Sequence, residues 1–97
     1  MLRLKTYATK INPNGTIFGG WIMTQAVLAG KIAIKEDLNK DSKILSLNNF
    51  IFHSPLFLGD VISIYANITN IQELLVEIKV YKEQNLAAST TAKFCII

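Results

Sequence analysis

Residues 11–30 read Ile-Asn-Pro-Asn-Gly-Thr-Ile-Phe-Gly-Gly-Trp-Ile-Met-Thr-Gln-Ala-Val-Leu-Ala-Gly. No ionisable side chain lies between Lys10 and Lys31. Asn12-Pro13-Asn14-Gly15 predicts a type I turn, with Pro at the second position, where its fixed φ fits, and Gly at the fourth. A helix is expected next, from Phe18 or Gly19 to about Leu38. Its first half is apolar almost all the way round, through Trp21, Ile22, Met23, Ala26, Val27, Leu28 and Ala29. A helix of that kind is expected to be buried on most sides. Polar residues return at Lys31, Lys35, Glu36 and Asp37, so the second half should surface. Asn39-Lys40-Asp41-Ser42 reads as the polar loop that ends it.

Strand patterns flank this helix. Residues 2–11 read as one strand, and residues 44–53 as another, ended by Ser54-Pro55. Residues 61–70 alternate Ile62, Ile64, Ala66 and Ile68 against Ser63, Tyr65 and Asn67. Residues 74–82 alternate Leu74, Val76, Ile78 and Val80 against Glu77 and Lys79. Residues 86–97 alternate Ala88, Thr90, Ala92, Phe94 and Ile96 against Ser89, Thr91 and Lys93. This period of two is that of strands with one covered face. The short polar connections at 71–73 and 83–85 suit antiparallel hairpins. The expected order is strand, one long helix, then four strands. An α+β antiparallel sheet wrapped around one long central helix, the hotdog arrangement, satisfies both patterns in a single domain over residues 1–97.

The chain has 97 residues, of which 51% are apolar. A monomer of that size has too little interior to hide so much apolar surface, so an extensive subunit interface is expected. The net charge of +3 comes from basic residues scattered along the chain, without a dense run. That argues against a nucleic-acid groove and leaves open both solubilising lysines and an anionic small molecule. One cysteine, Cys95, excludes a disulfide within the chain and suits a reducing compartment; a buried, inert thiol is expected. The opening Met1-Leu2-Arg3-Leu4-Lys5 interrupts its apolar residues with charge and does not read as a signal peptide. The uncharged stretch 17–30 is too short to span a bilayer. The chain is therefore expected to be cytoplasmic, and its two Asn-x-Thr triplets to be chance matches. No metal-ligand spacing occurs, and no cofactor is expected.

Asn12-Pro13-Asn14-Gly15-Thr16-Ile17-Phe18-Gly19-Gly20-Trp21-Ile22-Met23-Thr24-Gln25 closely resembles the Asn-x-x-Gly-x-Ile-Phe-Gly-Gly-Trp-Ile-Met-Ser-Gln signature of the YciA-type acyl-CoA thioesterases. Phe52-His53-Ser54-Pro55-Leu56-Phe57-Leu58-Gly59-Asp60-Val61 resembles that family's Phe-x-x-Pro-Val-x-x-Gly-Asp-Val junction, which many hotdog proteins share. The resemblance implies cleavage of fatty acyl-CoA to free acid and CoA. It implies active sites at the interface of a homodimer, which in the family also assembles as a hexamer, a trimer of dimers.

Thioester hydrolysis needs a polarised carbonyl, a positioned water and a hold on CoA and acyl tail. Gly19 and Gly20 open the expected helix, where free N–H groups and the helix dipole favour an oxyanion, and where glycine permits close approach. Their alternative role is tight turn-to-helix packing. Asn12 matches a position that holds water or substrate in the family, and it also suits the first place of the turn. Gln25 matches the signature too; a buried amide needs partners, so a structural hydrogen bond across a subunit interface is equally open. The catalytic expectation is thus Asn12, Gly20 and Gln25, with Phe18, Gly19, Trp21 and Val27 binding substrate.

Val27 is the departure. The resemblance places the family's catalytic aspartate at this position, and valine can neither take a proton nor orient water. Losing a positioned base costs ~10²–10⁴ in rate. No carboxylate stands one helical turn away, since positions 23, 24, 30 and 31 are Met, Thr, Gly and Lys. Asn70-Ile71-Gln72-Glu73 lacks a basic residue that the family carries, and Thr90-Thr91-Ala92 lacks an acid. Glu73 and Glu77 are expected to face solvent, and His53 to be structural or exposed. Two functions follow: a thioesterase with a weakened base, or a non-catalytic subunit that holds acyl-CoA.

Overall fold

The computed structural model describes residues 2–5, 19–57 and 59–97. The turn 12–15, Phe18 and most of the first strand expected over 2–11 lie outside these residues. The described elements are β1 (Leu2–Lys5), α1 (Gly19–Leu38), β2 (Ser42–Phe52), β3 (Val61–Asn70), β4 (Leu75–Lys82) and β5 (Asn85–Ile96). They form one antiparallel sheet in the order β1-β3-β4-β5-β2, with α1 packed on one face.

The order follows from the two kinds of connection. β3, β4 and β5 are joined by tight turns and so lie side by side. β1 and β2 take opposite edges, so the chain between them crosses the inner face of the sheet, and α1 lies on that face. Alternation decides which side chains meet it. Ile62, Ile64, Val76, Ile78, Val80, Ala88, Ala92 and Phe94 are buried, against Ile22, Ala26, Ala29 and Ile34 of the helix. Burying each large aliphatic side chain contributes about 1.5–3 kcal/mol.

At Gly30 helix and sheet approach closely. A Cβ there would stand 2.5 Å from Phe94 Cζ and 2.8 Å from Cε1. Phe94 is itself buried, so its ring has little room to retreat. The helix ends at Leu38 in a left-handed cap: Asn39 has φ 54° and donates its N–H to Lys35 O at 2.9 Å.

β2 is irregular. Its register against β5 slips between Ile44 and Ser46 and again between Asn48 and Ile51, one extra residue each time. Asn49 takes φ 53° in the second slip, a conformation asparagine tolerates. Thr90 Oγ1 donates to Asn48 O at 2.9 Å and pins this bulge to the central sheet.

Four expectations change. The helix is covered along one stripe, not on most sides: Gly20, Thr24 and Lys31 are exposed and Leu28 is 44% exposed. One sheet can cover only one face of a cylinder. Ile96 is exposed although its alternation points inward, because β4 ends opposite Lys93 and gives it no cover. Cys95 is half-buried, not buried. The strand expected from Ile44 begins at Ser42, which is buried instead of lying in the polar loop.

Gly30→Ala is expected to destabilise the protein by about 1–2 kcal/mol. The overlap with the buried Phe94 ring falls in the upper part of the overpacking range, about 2–3 kcal/mol, and outweighs the alanine's gain in helix propensity of about 1 kcal/mol. Urea unfolding of the variant checks this; unchanged or raised stability would show that the ring yields freely.

Candidate active site

Asn12 and Phe18 lie outside the described residues; Gly19, Gly20, Trp21, Gln25 and Val27 all fall on the first half of α1. Gly20 stands in the first turn, exposed, with no described residue within 4 Å of a Cβ built on it. No acidic residue occupies that turn. The first N–H groups of a helix have no partner within it, and the dipole makes this end attractive to developing negative charge. Thr24 Oγ1 bonds to Gly20 O at 3.0 Å, so the threonine hydroxyl is turned to its own helix.

The helix sorts the remaining residues by angle. With about 100° per residue, Gly20 and Val27 share one flank of the buried stripe. Trp21 and Gln25 share the opposite flank. Trp21 and Val27 are half-buried and pack on the core, and Gln25 is half-buried as well. One chain therefore brings Gly20 and Val27 together but turns Trp21 and Gln25 away from them. The first carboxylate along α1 is Glu36, in its last turn.

The other candidates lie on the sheet and its connections. Glu77 is exposed on the sheet face opposite the helix and pairs with Lys79 at 3.4 Å. Glu73 is exposed in the β3–β4 turn, where Asn70 Oδ1 accepts its backbone N–H at 3.0 Å. His53 is exposed, and its Nε2 is 3.0 Å from Ser89 Oγ. No sequence motif announces that contact, which spans 36 residues and depends on β2–β5 pairing. Among the described residues, no three His, Cys, Asp or Glu side chains are grouped as a metal ion would require. No helix among them is long and apolar enough to cross a membrane.

The 52–61 junction is locked from one carboxylate. Asp60 Oδ2 accepts the Phe57 N–H at 2.7 Å and pairs with Lys82 Nζ at 3.2 Å. The same ammonium lies 5.6 Å from the centre of the Phe57 ring. Gly59, at φ 90°, makes the bend that brings the carboxylate round. The Gly-Asp of this junction is thus the hinge and the clasp of the loop that carries the chain from β2 back towards β3.

The family model described as Thioesterase superfamily matches residues 14–88, well over half of the chain. An uncharacterised acyl-CoA thioester hydrolase of Buchnera aphidicola is 37% identical over 67 residues, covering 69% of this chain and 50% of the relative. The acyl-CoA thioester hydrolase YciA of Escherichia coli is 35% identical over 66 residues, covering 68% of this chain and 50% of that protein. The chain spans about half the length of these curated relatives. Cj0915 of Campylobacter jejuni, a hexameric hotdog fold thioesterase, superposes with a TM-score of 0.87 at 29% identity, covering 99% of this chain and 80% of that one. The architecture is therefore the hotdog fold.

Asp60→Ala is expected to cost about 1.5–3 kcal/mol, the usual value of hydrogen bonds to a charged group. Thermal unfolding checks it: a variant melting with the parent would show that the clasp contributes nothing to stability.

Proposed function

This chain belongs to the thioesterase superfamily, and from that membership we propose that it hydrolyses acyl-CoA thioesters to the free acid and CoA. The observation that carries the reading is the first turn of α1, where Gly20 is exposed and no described residue comes within 4 Å of a Cβ built on it, at the end of the helix whose first N–H groups have no partner within it. The thioester carbonyl oxygen would be held there as it gains charge. Asn12 and Gln25 would position water and substrate, and Phe18, Trp21 and Val27 would line the acyl chain. Gln25 and Trp21 face away from Gly20 and Val27, so a complete site needs a second copy to supply the opposite flank.

Such pairing also suits the surface. Leu28, Leu45, Ile51 and Phe52 are each 44–54% exposed, and β2 is an 11-residue sheet edge free to pair among the described strands. We read the protein as a single-domain homodimer that assembles further into a hexamer, and as cytoplasmic, in keeping with its single cysteine.

A second reading rests on Val27. The flank it shares with Gly20 carries no general base, so the protein binds acyl-CoA with little turnover. Thiol release from short- and long-chain acyl-CoAs separates the two. An inert parent and an active Val27→Asp variant would establish the binding subunit and fix position 27 as the base. Equal hydrolysis by both would show that the base lies elsewhere.

Gly20→Ala tests the oxyanion role under either reading. Its methyl meets no atom of the described residues, so stability should hold. Hydrolysis in the Val27→Asp background, or in an active parent, should fall about tenfold or more as the methyl crowds the donors. Undiminished hydrolysis would remove Gly20 from the site.

A further inference from the structure

The sheet face away from α1 carries a row of reactive side chains that the helix-side chemistry does not use. Ile51 of β2 pairs with Ser89 of β5, Ser89 with Lys79 of β4, and Lys79 with Tyr65 of β3. These positions alternate with the buried Ala88, Val80 and Ile64, so they stand on the outer face. His53, just beyond β2, reaches the same row and places Nε2 3.0 Å from Ser89 Oγ.

The arrangement is well anchored. β5 is an inner strand, so the Ser89 backbone is held on both sides. The N–H groups of His53 and Ser54 both donate to Ala87 O, at 2.7 and 3.2 Å. Beside Ser89 lies an open depression of about 210 Å³, lined also by Asn48, Asn49, Glu77, Lys79 and Thr91. Lys79 Nζ is held at its rim by Glu77, 3.4 Å away.

A hydroxyl within hydrogen-bond reach of an imidazole is the geometry of an activated nucleophile. We propose that Ser89 and His53 form an acyl-accepting pair on the outer sheet face, which takes small acyl groups from activated esters or thioesters. With His53 in the tautomer protonated at Nδ1, the Ser89 hydroxyl donates to Nε2. Ser89 Oγ attacks the acyl carbonyl carbon while its proton passes to Nε2. The new C–O bond forms, the bond to the leaving phenolate or thiolate breaks, and the imidazolium returns the proton to the leaving group. The developing oxyanion lies within the field of the Lys79 ammonium and the Asn48 amide. The depression admits an acetyl or similarly short acyl group; its open, polar lining gives a long tail nothing to bury against.

The probe is p-nitrophenyl acetate, with the adduct located by intact-mass and peptide mass spectrometry on the full chain. The expected result is one acetyl group entering first, on the β5 peptide at Ser89. Ser89→Ala should abolish it. His53→Gln, which still hydrogen-bonds but takes no proton, should slow it at least tenfold, within the usual range of general-base effects. Both residues are solvent-accessible, and circular dichroism verifies that the variants are folded. Acetylation of Ser89 at the same rate in His53→Gln would overturn the pair, since accessibility alone would then account for the label. Label falling first on Lys79 or on other lysines, with Ser89 unmodified, would overturn it as well.

Discussion

Everything in this fold hangs on how closely α1 lies to the sheet at Gly30. The helix rests where a side chain as small as alanine's would run into the ring of Phe94. That contact sets the height of the helix above β5 and β4, and it draws Ala26, Ala29 and Ile34 into the same buried layer as Ile78 and Phe94. Small residues on the helix facing large ones on the sheet let the layers interdigitate at crystal-like density. The buried stripe is correspondingly narrow. What lies beyond it, from Gly20 and Val27 on one flank to Trp21 and Gln25 on the other, is half-buried or exposed.

The two faces of the sheet have diverged in chemistry. The inner face is aliphatic and almost wholly spent on α1. The outer face is polar and aromatic, with Tyr65 and Tyr81 packed edge to face at 5.6 Å and Lys79 beside them. Strand alternation alone produces this division, because successive side chains point to opposite sides. β2 breaks the alternation twice, so its apolar residues are shared between faces: Phe50 and Phe52 stack at 4.9 Å, while Leu45 and Ile51 stand exposed. A bulged edge strand with apolar residues on both sides is suited to pairing with another chain.

The helix from Gly19, and the strands over 61–70, 74–82 and 86–97, were legible because their periods of 3.6 and 2 are written by burial. The bulges of β2 were not, since nothing in Ile44 to Asn49 marks which residue will be extra; the slip is settled by the partner strand. The helix-start glycines were legible as candidate donors, whereas the division of Gln25 from Val27 emerged only from the angular sorting of a folded helix. The contact of His53 with Ser89 could not be read at all, because it joins two strands through register.

By itself, the sequence determined the order of elements, the hotdog class and the family, because hydrophobic periodicity and one long turn-and-glycine motif are local properties of the chain. It also determined that position 27 is a valine, a side chain that no folding can turn into a base. Tertiary structure alone decided how much of the helix is covered, which flank each candidate occupies, and which distant side chains meet across strands. Those outcomes depend on the sheet's width and register, which arise from pairing between segments far apart in sequence.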